Sequence, residues 1–257
     1  MKIGIENLLK WAFTQELCEN RERSGEAIGS SNFTMIMEIV RLGAVIDRSR
    51  NIMEASSAFV ALEPHEDALA VIAAVRNLAK HDFDIGEGWN PFPEWEDDLG
   101  LIAMSVRDEV EVLRARGETT NGRHVAALVF SCAVLGRGPD WHAERPEQVY
   151  VKRGGKEAWF VQKAGKDAFG RSYSFEANGY DAKRKRPIRG AYRKMELSQS
   201  IRGAMIARLE WQLWQDALCE LHKTLENQLV SHDLLPFHPH RQPWMDFRDV
   251  RENLVSV

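Results

Sequence analysis

At 257 residues, 44% hydrophobic and 28% charged, the chain has the composition of a globular protein that can bury a full core. This excludes disorder along the whole length and any dependence on a disulfide or metal for folding. The formal net charge of −4 hides three blocks: residues 1–148 hold 15 Lys and Arg against 25 Asp and Glu, residues 149–194 hold 13 against 4, and residues 195–257 hold 6 against 9.

Residues 3–21 are predicted as a helix, with Ile5, Leu8, Leu9, Ala12, Phe13 and Leu17 on one face. After a loop with Gly25 and Gly29, Ser31 or Asn32 is expected to cap a second helix, because their side-chain oxygens accept free backbone N–H groups. That helix carries Phe33, Ile36, Met37, Val40 and Val45. A third starts near Pro64, with Glu66 and Asp67 complementing its positive end, and its body over 68–79 is apolar enough to be buried. Residues 82–98 break the pattern with two Gly, two Pro, seven acids and no Lys or Arg. Trp89, Phe92 and Trp95 are interleaved there, which predicts a long loop packed by its aromatic rings. Further helices are predicted from about 99 to 116, stopped by Gly117, and from the cap Asn121 through Val125, Val129 and Leu135 to Gly136.

The hydrophobic period then changes. Residues 148–153 and 156–162 read as strands around Gly154-Gly155, a hairpin signal. A second hairpin is expected from 171–177 and 180–183 around Asn178-Gly179, with Tyr173 and Phe175 alternating onto one face. All four tyrosines of the chain, Tyr150, Tyr173, Tyr180 and Tyr192, lie in this basic block. From Leu197 to about Leu229 every fourth residue is apolar, predicting one helix of roughly 50 Å whose apolar stripe winds around it as in a central spine. The tail has Pro236, Pro239 and Pro243 with Phe237, Trp244 and Phe247, and is expected to lie extended on the body before a short helix at 247–254.

The fold class expected from these elements is mainly α with a small antiparallel β-hairpin insert (α+β), a helical N-terminal region and a long C-terminal spine helix. The expected parts are an acidic helical region at 1–148, a basic β insert at 149–194, and the long helix and tail at 195–257, together one compact unit. Cys18, Cys132 and Cys219 are widely spaced and sit in apolar patterns, which fits free thiols in a reducing, cytoplasmic setting. No long apolar core follows Met1-Lys2, so a secretory signal is not expected, and no apolar run is long enough to span a bilayer.

The basic block carries the functional expectation. Nucleic-acid binding needs cations for phosphates and flat side chains for bases, and this block supplies both on strands. Lys183, Arg184, Lys185, Arg186, Arg189, Arg193 and Lys194 are the expected phosphate contacts, with Tyr173, Phe175, Tyr180 and Tyr192 stacking or positioning the backbone. The same cations would equally form a solvated turn, pair with the carboxylates of 1–148, or dock on an acidic protein partner; the long helix could instead self-associate. Residues 114–136 have the outline of a helix-turn-helix with Gly122, Arg123 and His124 at the groove, though the second helix is almost wholly apolar. Pro139-Asp140 with Asp181-Ala182-Lys183 loosely resembles the acid-acid-lysine pattern of metal-dependent nucleases. His232, His238 and His240 read as tail histidines more readily than as metal ligands. No Walker A loop, dinucleotide fingerprint or nucleophile elbow is present, so no catalytic residue, metal or cofactor is assigned.

At Ile5-Glu-Asn-Leu-Leu-Lys-Trp-Ala, at Gly179-Tyr-Asp-Ala-Lys-Arg-Lys-Arg-Pro with Gly190-Ala-Tyr, and from Trp211 to His222, the chain resembles uncharacterised prophage-encoded proteins of alphaproteobacteria. The resemblance implies a phage setting, where small proteins regulate transcription or handle DNA, and it brings no catalytic residues with it.

Overall fold

A computed structural model describes residues 1–16 and 64–245. The helix expected after Ser31 or Asn32, Cys18, and the short helix expected at 247–254 lie outside the described residues. The chain divides into two compact units, one formed by Met1–Glu94, Asp108–Ala143 and Ala204–Val257, the other by Trp95–Arg107 and Glu144–Gly203.

The first unit is helical. Strand β1 (Lys2–Ile3) leads into helix α1 (Ile5–Trp11), which continues as a π-helical turn over Ala12–Glu16. Helix α2 spans Glu66–Leu78, capped by His65, whose Nδ1 accepts the Asp67 N–H at 3.0 Å. Helix α3 spans Leu101–Arg116, its residues up to Arg107 counted with the second unit, and α4 (Gly122–Leu135) is bounded by the two caps read from the sequence, Asn121 and Gly136. Asn121 Oδ1 accepts the Arg123 N–H at 2.8 Å, and Gly136 takes the left-handed φ of 66° that glycine reaches without strain. Helix α5 spans Arg202–Leu225. The core is built from Leu8, Leu9, Val71, Val125, Val129, Met205, Leu218 and Leu221, each almost fully buried. At about 1.5–3 kcal/mol per buried side chain, this packing dominates the stability of the unit.

Helix α5 also buries polar groups, and each has a partner on a loop or on the tail. Arg208 Nη1 donates to the Pro91 carbonyl at 2.6 Å and its Nη2 meets Glu94 at 2.5 Å, with the guanidinium between the Phe92 and Trp244 rings. Gln212 accepts the Trp89 Nε1–H at 2.7 Å, and Gln215 accepts the His240 N–H at 2.8 Å. These side chains serve the 82–94 loop and the tail, whose backbones lack a ladder of their own. The aromatic loop expected there is present, with Ile85 and Phe92 buried at its centre. The tail returns as β10 (Asp233–Leu234), parallel to β1, with Lys2 opposite Asp233.

The expected mainly α chain with a long C-terminal spine is corrected. Among the described residues 41% are helical and 17% are strand, with six helices and several small antiparallel hairpins. Only the hairpin part of that expectation fits. Helix α5 is 24 residues, about 36 Å at 1.5 Å per residue, not a span from Leu197 to Leu229. Leu197 belongs to a strand, and Ser200 Oγ accepts the Arg202 N–H at 3.3 Å where the helix begins. Leu229 lies beyond the helix end, just before Val230, whose N–H is taken by the Asp67 carboxylate at 2.6 Å. Strand pairing of Leu197 with Gln148 at one end and the Asp67 bond at the other thus interrupt the apolar ladder.

The second unit holds the basic block. Strand β2 (Gln148–Tyr150) pairs antiparallel with β9 (Met195–Leu197), Val149 opposite Glu196. Between them lie three hairpins: β3 (Lys152–Arg153) with β4 (Lys156–Glu157), β5 (Phe160–Lys166) with β6 (Ser172–Asn178), and β7 (Tyr180–Asp181) with β8 (Arg186–Pro187). Gly154 and Gly155, at φ 59° and 78°, make the first turn, as their pairing in the sequence implies.

Candidate nucleic-acid interface

The β5–β6 hairpin is the longest paired element of the block. Its register runs from Phe160 opposite Asn178 to Lys166 opposite Ser172, about 24 Å of ribbon at 3.4 Å per residue. The turn is closed by Asp167, whose carboxylate accepts the N–H groups of Phe169 and Arg171 at 2.9 and 2.8 Å, and by Gly170 at φ 77°. Beyond Phe160 nearly every residue of both strands is exposed or half-exposed. Phe169, at the tip, is 86% exposed.

Directly opposed residues share a face. One face carries Tyr173 opposite Gly165 and Phe175 opposite Lys163; the other carries Glu176 opposite Gln162 and Ser174 opposite Ala164. The second face is closed by a polar network. The Tyr192 hydroxyl donates to Glu176 and receives the Gln162 amide at 3.4 Å, Ser174 Oγ donates to Gln162 at 2.9 Å, and Lys194 Nζ meets Glu176 at 2.6 Å. Lys194, then Tyr192, holds the Glu176 carboxyl below its ordinary value; Glu176 in turn raises both the Tyr192 phenol and the Lys194 amine. The first face is open: the Tyr173 and Phe175 rings lie 5.7 Å apart beside Gly165, 51% and 41% exposed.

The foot of the ribbon corrects the second predicted hairpin. Asn178-Gly179 is not its turn. Asn178 pairs with Phe160, the Gly179 N–H donates to the Trp159 carbonyl at 2.7 Å, and a Cβ on Gly179 would lie 2.7 Å from the Phe160 oxygen. Gly179 is therefore required for close approach of two strands, and β6 pairs backward with β5. Phe160 and Tyr192 exchange both backbone bonds at 2.8 Å.

Lys183, Arg184, Lys185 and Arg186 occupy the exposed turn of the β7–β8 hairpin. Asp181 shapes it by accepting the N–H groups of Lys183 and Arg184 at 2.9 and 3.1 Å, while Lys185 takes a left-handed φ of 53°. Arg184 approaches Asp181 at 3.9 Å; among the described residues Lys183, Lys185, Arg186 and Arg189 make no ion pair. Tyr180 is exposed on β7. Arg193 is engaged differently: it meets Glu157 at 2.5 Å and lies over the rings of Tyr150 at 4.3 Å and Trp159 at 5.2 Å. The hydrogen bond from Arg193 to Glu157 raises its pKa further. Of the expected phosphate contacts, Arg193 and Lys194 are thus tied to the block's own carboxylates, and Tyr192 is tied to Glu176.

The other candidate sites have local uses. Asp140 accepts the His142 N–H at 3.0 Å and faces its Nδ1 at 2.7 Å, while Asp181 shapes its own turn. His232 is bound to Asp67, and among the described residues no group of three or more His, Cys, Asp or Glu is placed to hold a metal. Of the three groove residues expected at the start of α4, Arg123 is exposed, while Gly122 is buried against the end of α2 and His124 meets Glu210 at 3.3 Å. Burial pushes the Cys132 thiol up to about 12, and Glu210 adds to the shift, so it stays protonated and unreactive. No helix among the described residues is long and apolar enough to cross a membrane.

Lys163, Gly165, Lys166, Phe169 and Arg171 were absent from the expected site. The signal that identifies them is Asp167 followed by Gly170 between two alternating runs, a turn pattern as legible as Asn178-Gly179. No protein-family model, curated protein or solved structure matches this chain.

Proposed function

We propose that the chain is a non-enzymatic nucleic-acid-associated protein of phage type, acting in the cytoplasm and holding phosphates through its basic β segment. The observation that carries this reading is the turn at residues 183–186. All four of its cations are exposed, and among the described residues Asp181 is the only carboxylate paired with any of them. Phosphate binding draws its free energy from releasing condensed counterions, which requires cations not already neutralised. Exposed Lys152, Arg153, Lys163, Lys166, Arg171 and Arg189 extend the same positive character through the block.

Filter binding of a generic DNA duplex across a salt series tests the reading. The logarithm of affinity is expected to fall against log salt with a slope of about −0.9 per phosphate neutralised. Replacing Lys183, Arg184 and Arg186 by Gln, and Lys185 by Asn, removes the charge and keeps a residue that tolerates the φ of 53°. This variant should bind about tenfold or more weakly, with a slope shallower by about one for each phosphate it no longer neutralises. The weakening should be equal on unrelated sequences, since phosphate contacts position and do not specify. Unchanged affinity would remove the turn from the interface, and absence of salt-dependent binding would end the reading. In that case light scattering decides the runner-up: an oligomer indifferent to nucleic acid points to self-association, and a monomer leaves docking on an acidic protein partner.

A further inference from the structure

We infer that the open face of the β5–β6 ribbon is a stacking platform for single-stranded nucleic acid, built from Tyr173 and Phe175 over Gly165 and flanked by Lys163. The inference rests on the nucleic-acid reading and names its substrate class.

The two faces of the ribbon differ in one decisive respect. On the face of Glu176, polar groups are spent on one another through Tyr192, Gln162 and Lys194. On the face of Tyr173, two aromatic rings stand side by side with a 38° angle between their planes and about half of each residue open to solvent. Gly165 explains their posture. A Cβ there would come within 3.0 Å of the Tyr173 ring and 3.2 Å of the Phe175 ring, so both rings lie down against the strand where a side chain is missing. Both rings thus close over the strand at Gly165 while about half of each residue stays open to solvent. Exposed, flat and adjacent rings are what successive unpaired bases stack on, and every base has a π-face to offer.

Charge selects the occupant. Lys163 lies directly opposite Phe175 on this face, and Lys166 and Arg171 stand near the tip. The two carboxylates of the ribbon are already used, Asp167 by its own turn and Glu176 by Lys194 and Tyr192. An apolar protein surface would leave these cations desolvated and without partners. A duplex keeps its bases stacked on one another and offers the rings no π-face, whereas a single strand supplies phosphates and bases together.

The test uses the full chain with three fluorescein-labelled probes: an oligothymidylate, an oligouridylate and a mixed-sequence duplex of equal length. Replacing both Tyr173 and Phe175 by Leu keeps apolar bulk beside Gly165 and removes the π-faces. Single-strand affinity is expected to fall about tenfold per ring, with duplex affinity unchanged. Tyr173→Phe should retain binding. A 5-iodouracil-substituted strand should photo-crosslink wild-type protein at Tyr173 or Phe175, a measurement independent of how the double variant folds. If the wild type binds the strands and the double variant binds them equally well, or the crosslinks fall on Tyr180 or Tyr192, the platform is wrong and the nucleic-acid reading stands. If duplex binding falls in parallel, the face takes duplex and the single-strand inference is overturned. If no probe binds, both fall together. Thymidylate against uridylate separates DNA from RNA as the source of the strand, since only the latter offers a 2′-hydroxyl.

Discussion

Asp67→Ala is expected to lower the unfolding free energy by about 4 kcal/mol, a large part of what a domain of this size possesses. Asp67 has no exposed surface, yet its carboxylate is fully used. Oδ1 accepts the Val230 N–H at 2.6 Å, and Oδ2 accepts the N–H groups of Ser231 and His232 at 3.1 and 3.0 Å. The His232 Nδ1 lies 2.7 Å from Oδ2 and must carry the proton, since an ionised carboxylate only accepts. Alanine leaves three backbone donors and a ring nitrogen without an acceptor at the point where the tail turns back toward β1. Burial alone would raise the Asp67 carboxyl, but the bonds from Val230, His232 and Ser231, with His65 nearby, outweigh it and hold the group below its ordinary 3.8. A depressed carboxyl contributes its stability above the unfolded-state value and loses it as pH falls through the folded-state value. Urea midpoints of wild type and variant should therefore differ widely at about pH 7, and the gap should narrow as pH falls below the ordinary 3.8 and through the lower folded-state value. A gap that persists undiminished in acid would show that the carboxylate charge is not what binds the tail.

The helical elements of the first unit were legible because their determinants are local. The α4 caps, Asn121 and Gly136, are adjacent to the residues they serve, and the aromatic loop carries its own Phe92 and Trp89. The Asp67 clasp was not legible, because its donors lie 163 to 165 residues away and Asp67 itself reads as an ordinary acid in a first helical turn. The same distinction separates right from wrong in the basic block. Gly154-Gly155 closes strands that are each other's neighbours. Asn178-Gly179 has equal local promise, but β6 finds its partner backward in β5, and the glycine is needed for the Phe160 carbonyl instead. Register also divides the expected site. Tyr173 and Tyr192 are equivalent in composition, yet the pairing of Glu176 with Gln162 puts a carboxylate under Tyr192 and leaves Tyr173 free of one. No pattern of spacing reports that, since the deciding contacts cross strands. The i+4 ladder from Leu197 to Leu229 failed for a related reason: Leu197 was taken by Gln148, its partner in β2.

Gly122→Ala is expected to cost more than about 3 kcal/mol and to reduce soluble yield, although intrinsic helix preference alone would favour alanine by about 1 kcal/mol. Gly122 opens α4 and is buried. A Cβ there would lie 1.9 Å from the His81 carbonyl oxygen and 2.5 Å from that of Leu78. Both are backbone atoms, Leu78 the last residue of α2 and His81 just beyond it, so no side-chain rotation relieves the overlap. The contact is fixed from either side, since the Gly122 N–H meets Asp82 Oδ1 at 3.2 Å and the Phe83 N–H donates to the Thr120 carbonyl at 2.8 Å. Relief requires α4 and α2 to separate, opening the core in which Val125 and Val71 are fully buried. Gly203 supplies the internal control. It lies in the first turn of α5, and an added Cβ would meet nothing within 4 Å. Gly203→Ala is expected to be neutral or stabilising by up to about 1 kcal/mol, through reduced freedom of the unfolded chain. Thermal melts of the two variants side by side separate the causes: if both shift in the same direction, helix preference governs, and the close approach at Gly122 is not what holds α4 against α2.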